Sequence, residues 1–297
     1  MNQPWDADFV LDQSAVLMLA RRCGLMGTPA ALGAGWDYAT FVCDDTVMRI
    51  PKRLNTAQVL ADELELLLRL PNDLPLAVPR PRADLVSVDG IPYPAMVYPL
   101  LKGTQLCALP GTARLDAIVI GQQWGQFLLA LHNLPMDEAP DPFSFDEWTG
   151  FVMEHLSTID AHGDHPLGDA LRELLLRPLP AFDSRQVLCH MDLNDEHVLI
   201  DTRAGRITSI IDWGDAGPGP WWFDFTGLWL WGDSKALESA LRVYGRDLTS
   251  SEKAWFGRHA LIVSIGALYY EVCLDPASEA SRTWRARLER SMRATGR

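Results

Sequence analysis

The stretch Val187–Gly227, VLCHMDLNDEHVLIDTRAGRITSIIDWGDAGPGPWWFDFTG, constrains this chain more than any other. Val187–Cys189 is apolar, His190–Glu196 is polar and dense in carboxylates, and Val198–Ile200 is apolar again. Asp201–Gly205 supplies turn residues, Arg206–Ile211 is β-branched in part, and Gly and Pro punctuate the segment after Asp212. These blocks predict strand, polar loop, strand, turn, strand, loop and helix. Asp192 and Asp212 are then expected at the mouths of neighbouring short strands, where the hairpin between them would bring both carboxylates to one cleft. Phosphoryl transfer uses such an arrangement. It needs an aspartate to orient and deprotonate a hydroxyl, and hard oxygen ligands to hold Mg²⁺ on nucleotide phosphates. Asp192 suits the first task and Asp212 the second, while His197, five residues after Asp192, adds a ligand or positions one. Taken alone, His-x-Asp favours a β-hairpin of any α+β protein with aspartates at its turns.

At 297 residues the chain is long enough for one large core or two lobes. With 48% hydrophobic and 22% charged residues it has an ordinary soluble globular composition. The net charge of −13 argues against a nucleic-acid surface, which needs a basic stripe, and suits a polycationic small substrate. The five cysteines (23, 43, 107, 189, 273) form no CxxC or Cys/His cluster and imply neither zinc nor a disulfide framework. The residues MNQPWDADF lack a basic region followed by an apolar run, and no stretch of about 18 apolar residues suggests a membrane span. The expectation is a cytoplasmic monomer without nucleic-acid or membrane partners.

Residues 8–25 are apolar at helical spacing, with Asp12 or Ser14 as cap. Ala30–Cys43 reads as two strand-like pieces around a turn bearing Gly33 and Gly35, either a loop that lets backbone approach phosphates or a plain hairpin. Asp44-Asp45 makes the next turn and Thr46–Ile50 the following strand. Thr56–Leu70 is the clearest helix: Leu60, Leu64, Leu67 and Leu68 make its apolar stripe, Thr56 caps it and Pro71 stops it. After the proline-rich Leu74–Ala83, strand pieces are expected at Leu85–Val88 and Pro94–Leu101. Helical spacing then dominates Leu115–Leu134, where His132 reads as structural, and also Phe145–Leu156, Pro166–Leu176, Phe256–Val272 and Trp284–Met292. The arginines of the last helix are expected to face solvent. Met136–Phe145 is a Pro- and Asp-rich loop. His155, His162 and His165 with Asp160 and Asp164 look like a metal cluster, but their spacing is that of a solvated loop. Trp221, Trp222, Trp229 and Trp231 read as core packing, with a sugar-stacking platform as the alternative.

The spacing His190-Met191-Asp192-x-x-x-x-His197, followed by Asp212-Trp213-Gly214, parallels the kinase pattern H-R-D-x-x-x-x-N and D-F-G. HMDLNDEHVLID with SIIDWGDA resembles the catalytic block of the aminoglycoside phosphotransferases, antibiotic kinases with a protein-kinase-like fold. Histidine at the Asn position is similar to the branch acting on the 2″-hydroxyl of aminoglycosides and to the macrolide phosphotransferases. The segment GAGWDYATFVCDDTVMRIPKR is similar to the first hairpin of that family, which covers the nucleotide. Where relatives carry Gly-Asp-Pro, this chain has Gly219-Pro220-Trp221, and it keeps Asp224. The resemblance is concentrated at 187–227, weaker over 31–80 and thin in the last third.

The resemblance implies an α+β, two-lobed protein-kinase-like fold. A small antiparallel-sheet N-lobe would span residues 1–98, a hinge 99–102, and a larger, mainly helical C-lobe 103–297. It implies Mg²⁺ as cofactor and ATP or GTP as co-substrate. Asp192 would be catalytic, with His197 and Asp212 as metal ligands. Arg49 takes the place of the kinase strand lysine, with Lys52 or Arg53 as alternatives, and Glu63 rather than Glu65 would pair with it. Further nucleotide contacts are expected from Gly33, Gly35, Met96, Val97, Tyr98 and Leu100, the base lying along MVYPLL; Pro99 offers no backbone donor there. Asp195, Glu196, Asp224, Glu238 and Glu271 are candidates for substrate ammonium groups. The implied activity is γ-phosphate transfer to a hydroxyl of an aminoglycoside, a small polycationic antibiotic, giving resistance. A macrolide kinase, a choline or amino-sugar kinase, and a non-catalytic pseudokinase are the alternatives. A nucleotide-consumption assay separates the last from the rest.

Overall fold

A computed structural model of the chain describes residues 6–35, 37–109, 115–136, 145–161, 168–181, 185–232 and 234–295. In chain order the elements are α1 (Gln13–Arg22), β1 (Ala30–Ala34), β2 (Tyr38–Cys43), β3 (Thr46–Pro51), α2 (Leu54–Arg69), β4 (Met96–Pro99), β5 (Thr104–Gln105), α3 (Ala117–Leu131), α4 (Phe145–Ala161), α5 (Gly168–Leu176), β6 (Gln186–Cys189), β7 (Val198–Asp201), β8 (Arg206–Ile210), β9 (Gly217–Pro220), α6 (Thr226–Trp231), α7 (Ser234–Tyr244), α8 (Ser250–Leu274) and α9 (Glu279–Thr295). They form two compact units, Met1–Thr112 with Glu196–Ala216, and Ala113–Asp195 with Gly217–Arg297. The class is α+β: the first unit is built on antiparallel sheet and the second is mainly helical. Among the described residues no helix is long and apolar enough to cross a membrane.

In the first unit, β1 to β4 form one antiparallel sheet in chain order. Asp44 and Asp45 both take positive φ, 47° and 56°, which a two-residue hairpin with right-handed twist requires and which Asp tolerates. The turn sets Cys43 opposite Thr46, and that register carries Arg49 opposite Thr40 and Met96. Sheet and α1 share a core that includes Val16, Leu19, Met48, Ile50 and Val97. Asp12 rather than Ser14 caps α1, its carboxylate accepting from the Ser14 amide at 2.9 Å. α2 begins before Thr56. The cap position is Arg53, and the Thr56 hydroxyl folds back on the Arg53 backbone, 3.2 Å from its N–H and 2.9 Å from its carbonyl. Leu85–Val88 is not a strand; Val86 and Ala95 make a single bridge.

The β7–β8 hairpin belongs to the first unit because β5 pairs with β7 and because Ala77 exchanges backbone bonds with Thr208 and Ile210 at 3.1 and 2.9 Å. Residues 103–109 and 196–216 therefore group with the first unit, whereas the sequence-based division places them in the larger lobe.

In the second unit, β6 pairs with β9 and not with the β7–β8 hairpin. Asp192 and Asp212, expected after neighbouring strands, follow strands of different sheets. α3 and α7 approach closely because Gly121 and Gly125 face backbone: a Cβ there would lie 2.1 and 2.4 Å from the Ala236 and Ala240 carbonyl oxygens. α8 starts at Ser250, ahead of the apolar run at Phe256, because Thr249 and Glu252 form a capping box. Trp221 and Trp222 are fully buried and Trp229 and Trp231 half-buried, as core packing requires. α9 turns Ser281, Trp284, Arg287, Leu288 and Ser291 inward. Its arginines do not all face solvent: Arg287 is only 9% exposed, because a buried carboxylate matches its charge. Residues 137–144 of the expected loop, and Pro166 and Leu167 of the expected fifth helix, lie outside the described residues.

Candidate active site

Arg49 leaves β3 toward α2, and its Nη1 lies 2.6 and 2.7 Å from the two carboxylate oxygens of Glu63. Its Nη2 bonds Asp212 Oδ1. The guanidinium sits over the Tyr38 ring, 3.8 Å from its centroid. The side chains of Arg49 and Glu63 are 6% and 1% exposed, while that of Asp212 is 42% exposed, so Asp212 is the outward member of the trio. Burial opposes the charge on Arg49, but Asp212 and Glu63 outweigh it and hold its pKa well above the ordinary value. Burial also raises the Glu63 pKa, against the pull of Arg49 and of the Trp213 amide, which donates to Oε1 at 3.2 Å.

The hairpin register brings His197 to this trio. Val198 pairs with Ile210, and the Ile211 amide donates to the His197 carbonyl at 2.9 Å. His197 Nε2 is then 3.4 Å from Asp212 Oδ2. Asp212 has a φ of 65°, uncommon for a residue with a side chain, and the Trp213–Glu63 bond pins the next residue. One oxygen of Asp212 thus faces Arg49 and the other faces His197. A half-exposed carboxylate beside an imidazole is compatible with Mg²⁺, which takes one or two carboxylates and completes its shell with phosphates and water.

The alternative cations are engaged elsewhere. Lys52 Nζ donates to the Gly35 carbonyl at 2.6 Å, and Arg53 pairs with Asp37. Glu65 is exposed and faces Arg69 across one helical turn at 3.9 Å. Gly33 lies at a bulge in β1, and Gly35 in the connection to β2; Trp36 between them and Asp37 lies outside the described residues. Met96 and Val97 are buried, and Tyr98 and Leu100 half-buried. The backbone around Val97–Leu100 is less open than expected. The Val97 carbonyl accepts from the Arg82 amide at 2.9 Å, and the Leu100 amide donates to the Asp45 carbonyl at 2.8 Å, so the chain itself covers this part of β4.

In the second unit the loop after β6 carries Asp192. Met191 has a φ of 70°, and Asp224 braces it by accepting from the His190 amide at 2.8 Å and the Met191 amide at 3.0 Å. His132 joins the brace, 3.2 Å from Asp224 and 3.0 Å from the Tyr244 hydroxyl, which makes it structural. Within the loop, Asn194 donates from its side chain to Asp192 Oδ1 at 2.9 Å and from its amide to the Asp192 carbonyl at 3.0 Å. Asp195 takes a two-pronged ion pair from Arg287, at 3.0 and 2.5 Å. Asp195 and Asp224 are therefore not placed as ligands for substrate ammonium groups. Both are buried, and a buried carboxylate needs a cation or N–H donors of its own. Glu238 is exposed on α7 and Glu271 half-buried on α8. Glu196, also half-buried and in the first unit, has its carbonyl bonded by Gln105 at 2.7 Å.

Three contributors escaped the sequence reading: Tyr38, Asn194 and Arg287. A signal existed for Arg287, which falls in the same helical stripe as Trp284, Leu288 and Ser291. Of the His155–His165 group, two members are described. His155 stacks on Tyr269 with centroids 3.9 Å apart, and Asp160 accepts from the Gly168 amide at 3.1 Å; His162, Asp164 and His165 lie outside the described residues. Among the described residues, His132, Cys189 and Asp224 bring ligand atoms within 4.8 Å of one another. Their hydrogen bonds, including Cys189 Sγ to the Pro220 carbonyl at 3.4 Å, mark them as the loop's brace.

The sequence pattern of the phosphotransferase enzyme family matches residues 29–261. No curated protein sequence matches the chain. Among solved structures, the GDP complex of wild-type aminoglycoside 2'-phosphotransferase-IIIa aligns with a TM-score of 0.70 at 18% identity, over 95% of this chain and 99% of that one. Apo macrolide 2'-phosphotransferase MphH from Brachybacterium faecium aligns with 0.61 at 22% identity, over 96% and 97%. The streptomycin–ATP complex of APH(2")-IIa aligns with 0.63 at 19% identity, over 93% and 99%. At these identities the likeness is one of fold.

Proposed function

Because the chain belongs to the phosphotransferase enzyme family, we propose that it transfers the γ-phosphate of ATP or GTP to a hydroxyl of a sugar-bearing antibiotic, with an aminoglycoside as the first choice. The observation that carries this reading is the convergence of Arg49, Glu63, Asp212 and His197, from four separate elements or loops, on one charged site. Glu63 fixes the guanidinium of Arg49, whose planar fork donates to phosphate oxygens. Asp212 and His197 would hold Mg²⁺, which when bound neutralises charge on the phosphates. Asp192 accepts the hydrogen bond of the acceptor hydroxyl and aligns its oxygen with the γ-phosphorus. The new P–O bond forms as the bond to the β-phosphate oxygen breaks, and the hydroxyl proton passes to Asp192.

The net charge of −13 supports a polycationic acceptor, with Glu196, Glu238 and Glu271 as the carboxylates for its ammonium groups. A macrolide is the second reading. Trp148 and Phe151, three residues apart on α4, are 38% and 47% exposed and offer apolar faces to a large ring, while Asp195 and Asp224 are withdrawn from recognition. The proposed setting is a cytoplasmic monomer.

The test is product mass after incubation with ATP or GTP, Mg²⁺ and a panel of aminoglycosides, macrolides and small amino alcohols. One added phosphate on one class identifies the acceptor. Asp192→Asn is expected to lower turnover by about 10²–10⁴-fold with nucleotide affinity kept. Near-full turnover in that variant would remove Asp192 from the chemistry. Nucleotide binding with no transfer to any acceptor would favour the non-catalytic reading.

A further inference from the structure

We infer that Arg287, on the C-terminal helix, is a positioning residue for the Asp192 loop and acts on it through Asp195; the inference rests on the role proposed for Asp192. The loop is held at two ends. At its start Asp224 binds the His190 and Met191 amides. At its far end Arg287, 92 positions along the chain, grips both oxygens of Asp195.

Three features make this grip a positional device. A fork-to-fork pair sets the distance and also the plane of the carboxylate, which a point charge would leave free to rotate. The guanidinium is itself oriented, lying over the Trp284 ring at 4.4 Å from the centroid. The helix that carries it is anchored by Arg290 to the Leu230 carbonyl and by Arg177 to the Thr295 carbonyl at 2.9 Å.

The loop has little slack with which to absorb a movement of Asp195. Gly227 packs so tightly beneath it that a Cβ would stand 1.9 Å from the Leu193 carbonyl oxygen. Asn194, next to Asp195, bonds Asp192 through both its side chain and its amide. A rotation of Asp195 is therefore passed through Asn194 to the Asp192 carboxylate. Stability alone does not call for such a pair, since a buried ion pair is often replaceable by apolar side chains without loss.

The experiment compares wild type, Arg287→Met, Arg287→Lys and the apolar double variant Asp195→Leu/Arg287→Met, with Asp192→Asn as control. Turnover, the KM for nucleotide, Tm, and hydrogen exchange at the Asn194 amide are read for each. Arg287→Met is expected to lower kcat about 10²-fold, the scale of a 1 Å misplacement of a reacting group. The KM for nucleotide should stay within about twofold of wild type, and Arg287→Lys should recover part of kcat. In the double variant Tm is expected to return toward wild type while kcat stays low and the Asn194 amide exchanges faster. Recovery of kcat in step with Tm would overturn the proposal, as would an unchanged kcat in folded Arg287→Met. Should Asp192→Asn keep full turnover, the catalytic reading of that residue fails on its own. Exchange at Asn194 then decides: unchanged protection in the double variant refutes the tether, and lost protection upholds it.

Discussion

Arg49 shows how one side chain makes a site out of charges that would otherwise be costly to bury. It neutralises Glu63 inside the first unit and at the same time reaches the half-exposed Asp212. Removing it by Arg49→Met leaves Glu63 buried without a cation, and about 3–5 kcal/mol of stability should be lost in urea unfolding. Arg49→Lys keeps the charge but not the fork, so it should be milder in stability and still weaken nucleotide binding. His259 offers a second test at this scale. It is buried, stacked on Phe223 at 4.0 Å, with Nδ1 2.9 Å from the Thr226 hydroxyl, and its Nε2 has no hydrogen-bond partner among the described residues. Burial lowers its pKa from 6.5 to about 3, with Asp224 pulling weakly the other way. Between those values the unfolded chain binds the proton and the folded chain does not, so stability falls as pH drops through this window. From about pH 7 to pH 5 the loss is about 2 kcal/mol. His259→Gln should flatten that slope in denaturant titrations at the two pH values; an unaltered slope would assign the dependence to other groups.

At the scale of elements, the loop after β6 depends on what lies under it. Gly227→Ala places a methyl against Leu193 and Asn194, whose nearest atoms are 1.9 and 2.7 Å away. The loop must shift, at a cost of about 1–3 kcal/mol, and turnover should fall more than nucleotide affinity. Wild-type kcat in that variant would show that the loop tolerates displacement. Which elements the sequence made visible depends on how local their signals are. α2 carries an apolar stripe and α8 a long apolar run from Phe256, both legible, whereas the Thr249-x-x-Glu252 box that starts α8 earlier was passed over. β9, the segment Gly217–Pro220, has no strand character of its own and is placed by its pairing with β6. The hairpin from Val198 to Ile210 was legible, but its partner β5 was not, because two residues carry no periodicity.

For the whole molecule, Mg²⁺–nucleotide binding should appear as added stability. A nucleotide at about 100 times its Kd contributes about 2.7 kcal/mol to unfolding, read as a rise in Tm, and Asp212→Ala should erase the Mg²⁺-dependent part. A full Mg²⁺-dependent rise in that variant would remove Asp212 from the metal site. The spacing of Asp192, His197 and Asp212 and the stripe of α2 are patterns within short segments, where periodicity reports which face is buried, whereas the choice of Arg49 and Glu63 rested on the family resemblance. The sequence by itself therefore determined the elements with strong local signals and the candidate carriers of chemistry. Only the tertiary structure decided which carboxylates are used internally. Asp195 and Asp224 look like Glu196 and Glu238 in sequence, yet two of these four are buried because Arg287, His132 and backbone amides from distant positions meet them. A charge's partner across 92 residues is set by packing, and no local pattern encodes it.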